Sequence, residues 1–204
     1  MRGRRLSVKL KSLRAASFVI LDRCAIFRPA TAGFKLTSPR CITCKTMQLT
    51  PDFVDHLMQE ALVEARTAAV HDEVPVGAVI AYKGSIIARG RNTTEADQTV
   101  VSHAELNAIN AAARVLNNWR LSECVLCVTL EPCTMCLGAI RLARIPTIIL
   151  GAGDSKQGAV GSLYDLSQDT RLGAAVRVIT GFRTAECGSI LQEFFRRSRT
   201  TPKS

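Results

Sequence analysis

Apolar residues recur at helical spacing through Phe53, Leu57, Ala61 and Ala65, directly behind the stretch Thr50-Pro-Asp52. That stretch is a helix start: a hydroxyl that accepts from unpaired amides, a proline at the first helical position and an acid in the first turn. The spacing predicts a helix to about Val70. The period then changes. Val74 to Tyr82 and Ser85 to Arg89 are rich in β-formers, and the Lys83-Gly84 between them predicts a hairpin. An alanine-rich helix is predicted over 103 to about 116, a strand over Cys124 to Leu130, a helix over Cys133 to Arg144 and a buried strand over Thr147 to Leu150. Val176 to Ile179 reads as a last short strand and Ala185 to Arg197 as a closing helix. Helices alternating with strands in the second half imply a sheet with parallel pairs, covered on both faces.

Composition narrows the class. The 204 residues allow one domain plus a tail, and 47% hydrophobic residues is the content of a folded globular chain. No run approaches the roughly 18 apolar residues of a membrane span, so no membrane partner is expected. The net charge of +10 suggests nucleic acid until it is located. Residues 1–46 hold eleven Lys/Arg against the single acid Asp22, whereas residues 47–204 hold sixteen of each sign and are neutral. Any RNA affinity of the folded part must come from local patches, and the one clear patch is the tail from Phe194 to Lys203.

The expected organisation is therefore a basic leader over 1–46 and a folded domain over 47–204. The leader reads as an unstructured or falsely translated segment, as an organelle transit peptide, or as a signal peptide whose apolar run Ala15–Leu21 is cut short by Asp22-Arg23. Cytoplasmic location follows from the first reading and an organelle from the second. Eight cysteines in a chain large enough to bury its own core point to thiol or metal chemistry in a reducing compartment, with no need for disulfides.

Four of those cysteines fall in thirteen residues, Cys124-Val-Leu-Cys-Val-Thr-Leu-Glu-Pro-Cys-Thr-Met-Cys136. As text this looks like a four-thiolate zinc knuckle. Geometry separates the pairs. Cys124 and Cys127 lie in a run of β-formers, where residues three apart point to opposite faces and cannot grip one ion; they read as small buried hydrophobes. Cys133 and Cys136 follow Pro132 into a helix, where residues three apart share a face and the first turn favours thiolate. That pair is either half of a metal site or a core or redox pair. The third pair, Cys41 and Cys44, has no further ligand type nearby and reads as incidental. His56 and His71 read as ordinary surface or packing residues.

His103, followed by Glu105, changes the balance. His-x-Glu with Pro-Cys-x-x-Cys thirty residues on resembles the zinc deaminases of nucleobases. The residue types suit that chemistry: one imidazole and two thiolates hold Zn²⁺ and leave a fourth position for water, and a nearby carboxylate can carry protons.

From Pro51 onward the chain resembles the bacterial-type tRNA-specific adenosine deaminases. The resemblance rests on Glu73-Val-Pro-Val-Gly-Ala-Val79, Gly90-Arg-Asn92, His103-Ala-Glu105, Thr129-Leu-Glu-Pro-Cys-Thr-Met-Cys136, Gly151 to Ser162 and Phe194-Phe-Arg196, in order over about 150 residues. It implies a three-layer α/β/α cytidine-deaminase-like sandwich with a mixed five-stranded sheet, a homodimer, and conversion of adenosine to inosine at the wobble position of a tRNA anticodon stem–loop. It implies one Zn²⁺ per subunit on His103, Cys133 and Cys136, with Glu105 as proton shuttle. Asn92 would bond the target nucleotide, Val76 would wall the base pocket, and Lys156, Phe194, Phe195 and Arg196 would lie near the RNA. One stretch departs from the family pattern: Thr99-Val-Val-Ser102 stands where members usually carry Asp-Pro-Thr-Ala. The rival readings are a zinc deaminase of a free base or nucleoside, guanine or cytosine type, and a non-catalytic zinc-binding scaffold that would not need Glu105.

Overall fold

The structure is a computed structural model that describes residues 48–200. The leader, the Cys41/Cys44 pair and Lys203 lie outside the described residues. Among those described, no helix is long and apolar enough to cross a membrane.

Helix α1 runs Pro51–Val70, and the Thr50 hydroxyl accepts from the Phe53 amide as its opening sequence predicts. Its buried stripe is Val54, Leu57, Met58, Ala61, Leu62, Ala65 and Ala68. Strands β1 (Gly77–Tyr82) and β2 (Ser85–Arg91) form the hairpin, with Lys83 and Gly84 both at positive φ in the two-residue turn. β1 starts three residues later than the run of β-formers suggests. Pro75 has no amide to give a ladder, and the Val76 amide instead bonds the Val74 carbonyl in a tight turn. A single-turn helix α2 (Thr94–Asp97) follows, too short to show any period in sequence. Then come α3 (Ala104–Val115), β3 (Cys124–Leu130), α4 (Thr134–Leu142), β4 (Thr147–Ala152), a 3-10 turn at Thr170–Leu172, β5 (Arg177–Ile179) and α5 (Thr184–Thr200).

The sheet has strand order β2-β1-β3-β4-β5. β1 pairs antiparallel with both β2 and β3, whereas β3, β4 and β5 run parallel. Alternate residues of each central strand feed two separate cores. Ala78, Ile80, Cys124, Leu126, Val128, Ile148 and Leu150 pack with α3 and α4 on one face. Val79, Ala81, Val125, Cys127 and Ile149 pack with α1 and Cys187 of α5 on the other. This is the expected three-layer α/β/α arrangement with a mixed five-stranded sheet.

The topology also fixes where a site can form. Two antiparallel steps bring β2 back to the direction of β3, so β2 and β3 end on the same edge of the sheet. The helices that follow them, α3 and α4, therefore both begin at that edge, the place where open α/β sheets hold ligands.

Candidate active site

Two helix starts face each other there. His103 is the N-cap of α3 and Cys133 the N-cap of α4, both extended in backbone, and neither side chain bonds the amides of its own helix. Cys133 thus stands one place before the helix it was expected to open. The side chains meet instead: His103 Nδ1 lies 3.9 Å from Cys133 Sγ and 3.4 Å from Cys136 Sγ. The three donor atoms all lie within 4.8 Å of one another and could hold one metal ion. Among the described residues no other such group of His, Cys, Asp and Glu occurs.

The electrostatics suit a cation. The hydrogen bond with Cys136, helped by His103, pulls the Cys133 thiol down to about 4, while Cys133 pushes Cys136 well up and also raises His103. The thiol pair gives up its first proton readily and holds the second. A metal ion replacing that second proton would let both sulfurs ionise. Cys124 and Cys127 behave differently. They lie in the two opposite cores, and burial raises Cys124 to about 11 and Cys127 well above the ordinary thiol value.

Glu105 sits two residues into α3, only 4% exposed, and burial holds its carboxyl above the usual carboxylate range. It shares with His103 and Cys133 a cavity of about 540 Å³ that Val76, Asn92, Lys156 and Phe195 also line. Asn92 is buried, and its Oδ1 accepts the Ala104 amide of α3 at 2.9 Å. Phe194 and Arg196 do not line the cavity; Phe194 is half-buried and packs edge-to-face against Phe195, centroids 5.5 Å apart. In the departing stretch, Ser102 Oγ donates to Asp97 Oδ2 at 2.7 Å, and Val100 and Val101 are exposed.

Two buried carboxylates escape the reading of the sequence. Glu73 accepts from the amides of Glu95 and Ala96, at 3.2 and 2.8 Å, and so anchors α2 at one rim of the cavity. Glu131 does the same at the other rim. Its Oε1 accepts the amides of Val160 (2.8 Å) and Ser162 (3.0 Å), and its Oε2 accepts the Asp154 amide (3.0 Å) and the Ser162 hydroxyl. Burial alone would raise Glu131, yet the Ser162 hydroxyl and the three amides hold it below the ordinary value. The available signal was a charge at the end of an apolar strand, which must find partners once buried.

Residues 54–199 match the family model of MafB19-like deaminases. A tRNA-specific adenosine deaminase of Streptococcus pyogenes serotype M1 is 47% identical over 148 residues, 72% of this chain and 86% of the relative. That of Bacillus subtilis strain 168 is 43% identical over 147 residues, 72% of this chain and 91% of the relative. A solved structure from work on A-to-I editing by tRNA:A34 deaminases at the wobble position aligns with a TM-score of 0.65 and 44% identity, over 67% of this chain and 99% of that one. With this fold and this identity along nearly the whole of those relatives, the chain belongs to the tRNA-specific adenosine deaminases.

Proposed function

We propose that this chain hydrolyses adenosine to inosine, with release of ammonia, at the wobble position of a tRNA anticodon, using one Zn²⁺ per subunit. The observation that carries the reading is that His103, Cys133 and the buried Glu105 line one nucleotide-sized cavity, with Cys136 behind them completing the group of three metal donors.

His103, Cys133 and Cys136 would hold the zinc. Tetrahedral zinc with ordinary bond lengths needs its nitrogen and sulfur donors about 3.6 Å apart. The distances of 3.4 and 3.9 Å bracket that value, and the soft sulfur pair with one imidazole is a donor set zinc favours. Bound zinc supplies Lewis acidity that makes water nucleophilic near neutral pH and leaves its fourth position to the reaction.

The chain's own groups do the rest. Glu105 takes a proton from the attacking water and delivers it to N1 of the adenine; it then carries the remaining proton of the hydroxyl added at C6 to the departing amine, so that ammonia leaves and the carbonyl of inosine forms. A carboxyl held above its usual range by burial suits a group that must both accept and donate. Asn92 has its Oδ1 engaged with the Ala104 amide, so it meets the nucleotide through its Nδ2 donor. Val76 would wall the base, and Lys156 and Phe195, exposed at the cavity, would meet the RNA, with Phe194 packed on Phe195 and Arg196 next along the helix. An anticodon loop presents its base already unpaired, so drawing it into the cavity costs little. The reading includes a homodimer acting in the cytoplasm.

The test is ammonia release and inosine formation on an anticodon stem–loop carrying adenosine at the wobble position, run beside free adenosine, guanine and cytosine. Turnover confined to the RNA supports the reading. Turnover of a free base or nucleoside with the RNA untouched replaces it by the free-base alternative, and no turnover with zinc bound leaves a scaffold.

A further inference from the structure

We propose that Glu131, which lines the cavity but has no role in the mechanism above, is a positioning residue for the RNA. Its carboxylate is the anion around which residues 154–162 are wrapped, and that wrapped segment is the wall the nucleotide meets. The inference rests on the deaminase reading and adds a residue to it.

Three observations carry it. First, Glu131 is 4% exposed, and among the described residues no Lys or Arg forms an ion pair with it. Its charge is met by the Asp154, Val160 and Ser162 amides and the Ser162 hydroxyl, all from this one segment. Backbone amides converging on an anion form a nest, here filled by the protein's own carboxylate.

Second, the wrap is tight. A Cβ on Gly158 would lie 2.5 Å from both the Asp154 carbonyl oxygen and the Glu131 carboxyl carbon, so the closure over Glu131 requires glycine there. Third, the segment is stitched to the start of α4. The Ala159 amide bonds the Pro132 carbonyl at 3.0 Å, and Gly158 forms a β-bridge with Cys133. Glu131 is two residues from Cys133, and the residues it wraps include Asp154, Ser155, Lys156 and Gln157 of the cavity wall. The spacing between Cys133 and this wall is therefore set by the Glu131 side chain together with those two backbone links.

Glu131→Gln is nearly isosteric but turns one acceptor oxygen into a donor, which faces amide or hydroxyl donors on either side. Ser162→Ala removes a single bond from the set, and Glu131→Asp keeps the charge on a shorter stem. The experiment measures zinc per chain, steady-state kinetics on the anticodon stem–loop and amide hydrogen exchange for the zinc-loaded full chain and each variant. Positioning predicts that Glu131→Gln keeps one zinc and a kcat within about threefold, while KM for the RNA rises about tenfold or more. Exchange should quicken at the Asp154, Val160 and Ser162 amides and not across the sheet. Ser162→Ala should fall between wild type and Glu131→Gln, and Glu131→Asp should recover part of the KM. An unmoved KM with unchanged exchange at Val160 and Ser162 overturns the proposal, as does loss of zinc in step with activity. If Glu131→Gln does not fold, the KM and exchange of Ser162→Ala decide alone. Wild-type turnover on the same RNA separates the failures: an active wild type with an unmoved variant KM overturns the positioning role only. An inactive wild type overturns the substrate reading, and the positioning role with it.

Discussion

Asn92 Oδ1 accepts the amide of Ala104 at 2.9 Å, so the residue proposed to meet the nucleotide also anchors the helix whose N-cap is His103. One side chain links the end of β2 to the metal-facing turn of α3. The proposed role and the structural one use different atoms, because the oxygen serves the helix and the amide nitrogen would meet the substrate. Asn92→Asp keeps an acceptor at the helix start, where a negative charge is favourable, and deletes the donor. We expect its melting temperature near wild type and its kcat/KM on anticodon RNA reduced by about tenfold, the value of roughly one hydrogen bond. Asn92→Ala should lose both, with about 1 kcal/mol of stability gone. Thermal melts beside kinetics on both variants check this; equal stability losses in the two would remove the separation.

Glu105 is buried beside the metal donors without being one of them. Glu105→Gln should therefore bind zinc at one per chain while kcat falls by about 10²–10⁴. Zinc content measured on the same preparation as turnover checks it. Metal lost together with activity would make Glu105 a ligand or its support and would remove its role as proton carrier.

The two Cys-x-x-Cys pairs should respond oppositely to deletion. Cys133→Ala or Cys136→Ala removes one of three donors and should abolish zinc binding and activity. Cys124→Ala and Cys127→Ala remove small buried side chains from opposite cores and should keep zinc, at a cost of about 1–2 kcal/mol each. Zinc analysis after dialysis against a chelator separates them. A zinc-free Cys124→Ala protein would restore the four-thiolate arrangement.

That Cys124 and Cys127 face opposite cores while Cys133 and Cys136 share a face was legible in the sequence, because it follows from period alone: three residues along a strand change faces and three along a helix start do not. The same holds for the elements. Thr50-Pro-Asp52, Lys83-Gly84 and the run Cys124–Leu130 each carry their own local physics, and each appears where expected. Glu73 and Glu131 were hidden for the opposite reason. Their partners lie more than twenty residues away, at Glu95 and Ala96 and at Asp154, Val160 and Ser162, and are backbone amides, which any residue supplies. No pattern of residue types marks an acceptor whose donors are main chain. The Asn92 cap on α3 was hidden likewise, since the N-cap place is taken by His103 and the capping oxygen comes from another segment. Helix α2 is one turn long and leaves no period to detect.

The helix that carries Phe195 is tied to the domain by charge, and this gives a prediction in pH. Arg183 donates to both oxygens of Asp55 on α1, at 2.7 and 2.9 Å, just before α5 begins. Those bonds, with a further one from Gln59, hold the Asp55 carboxyl below its ordinary value. A group whose folded pKa is depressed contributes stability above its unfolded pKa, about 3.9, and loses it as pH falls through the folded value. Asp55→Asn should therefore melt lower than wild type at pH 7, by a gap that stays level down to about pH 4 and closes in stronger acid. The pair is half-buried at the surface, so salt should shrink the gap in part at neutral pH. Thermal melts of both proteins across pH 2–7 in low and high salt check it. A gap that persists unchanged at pH 2 would mean that Asp55 acts through packing or its neutral hydrogen bonds, and that charge does not hold α5 in place.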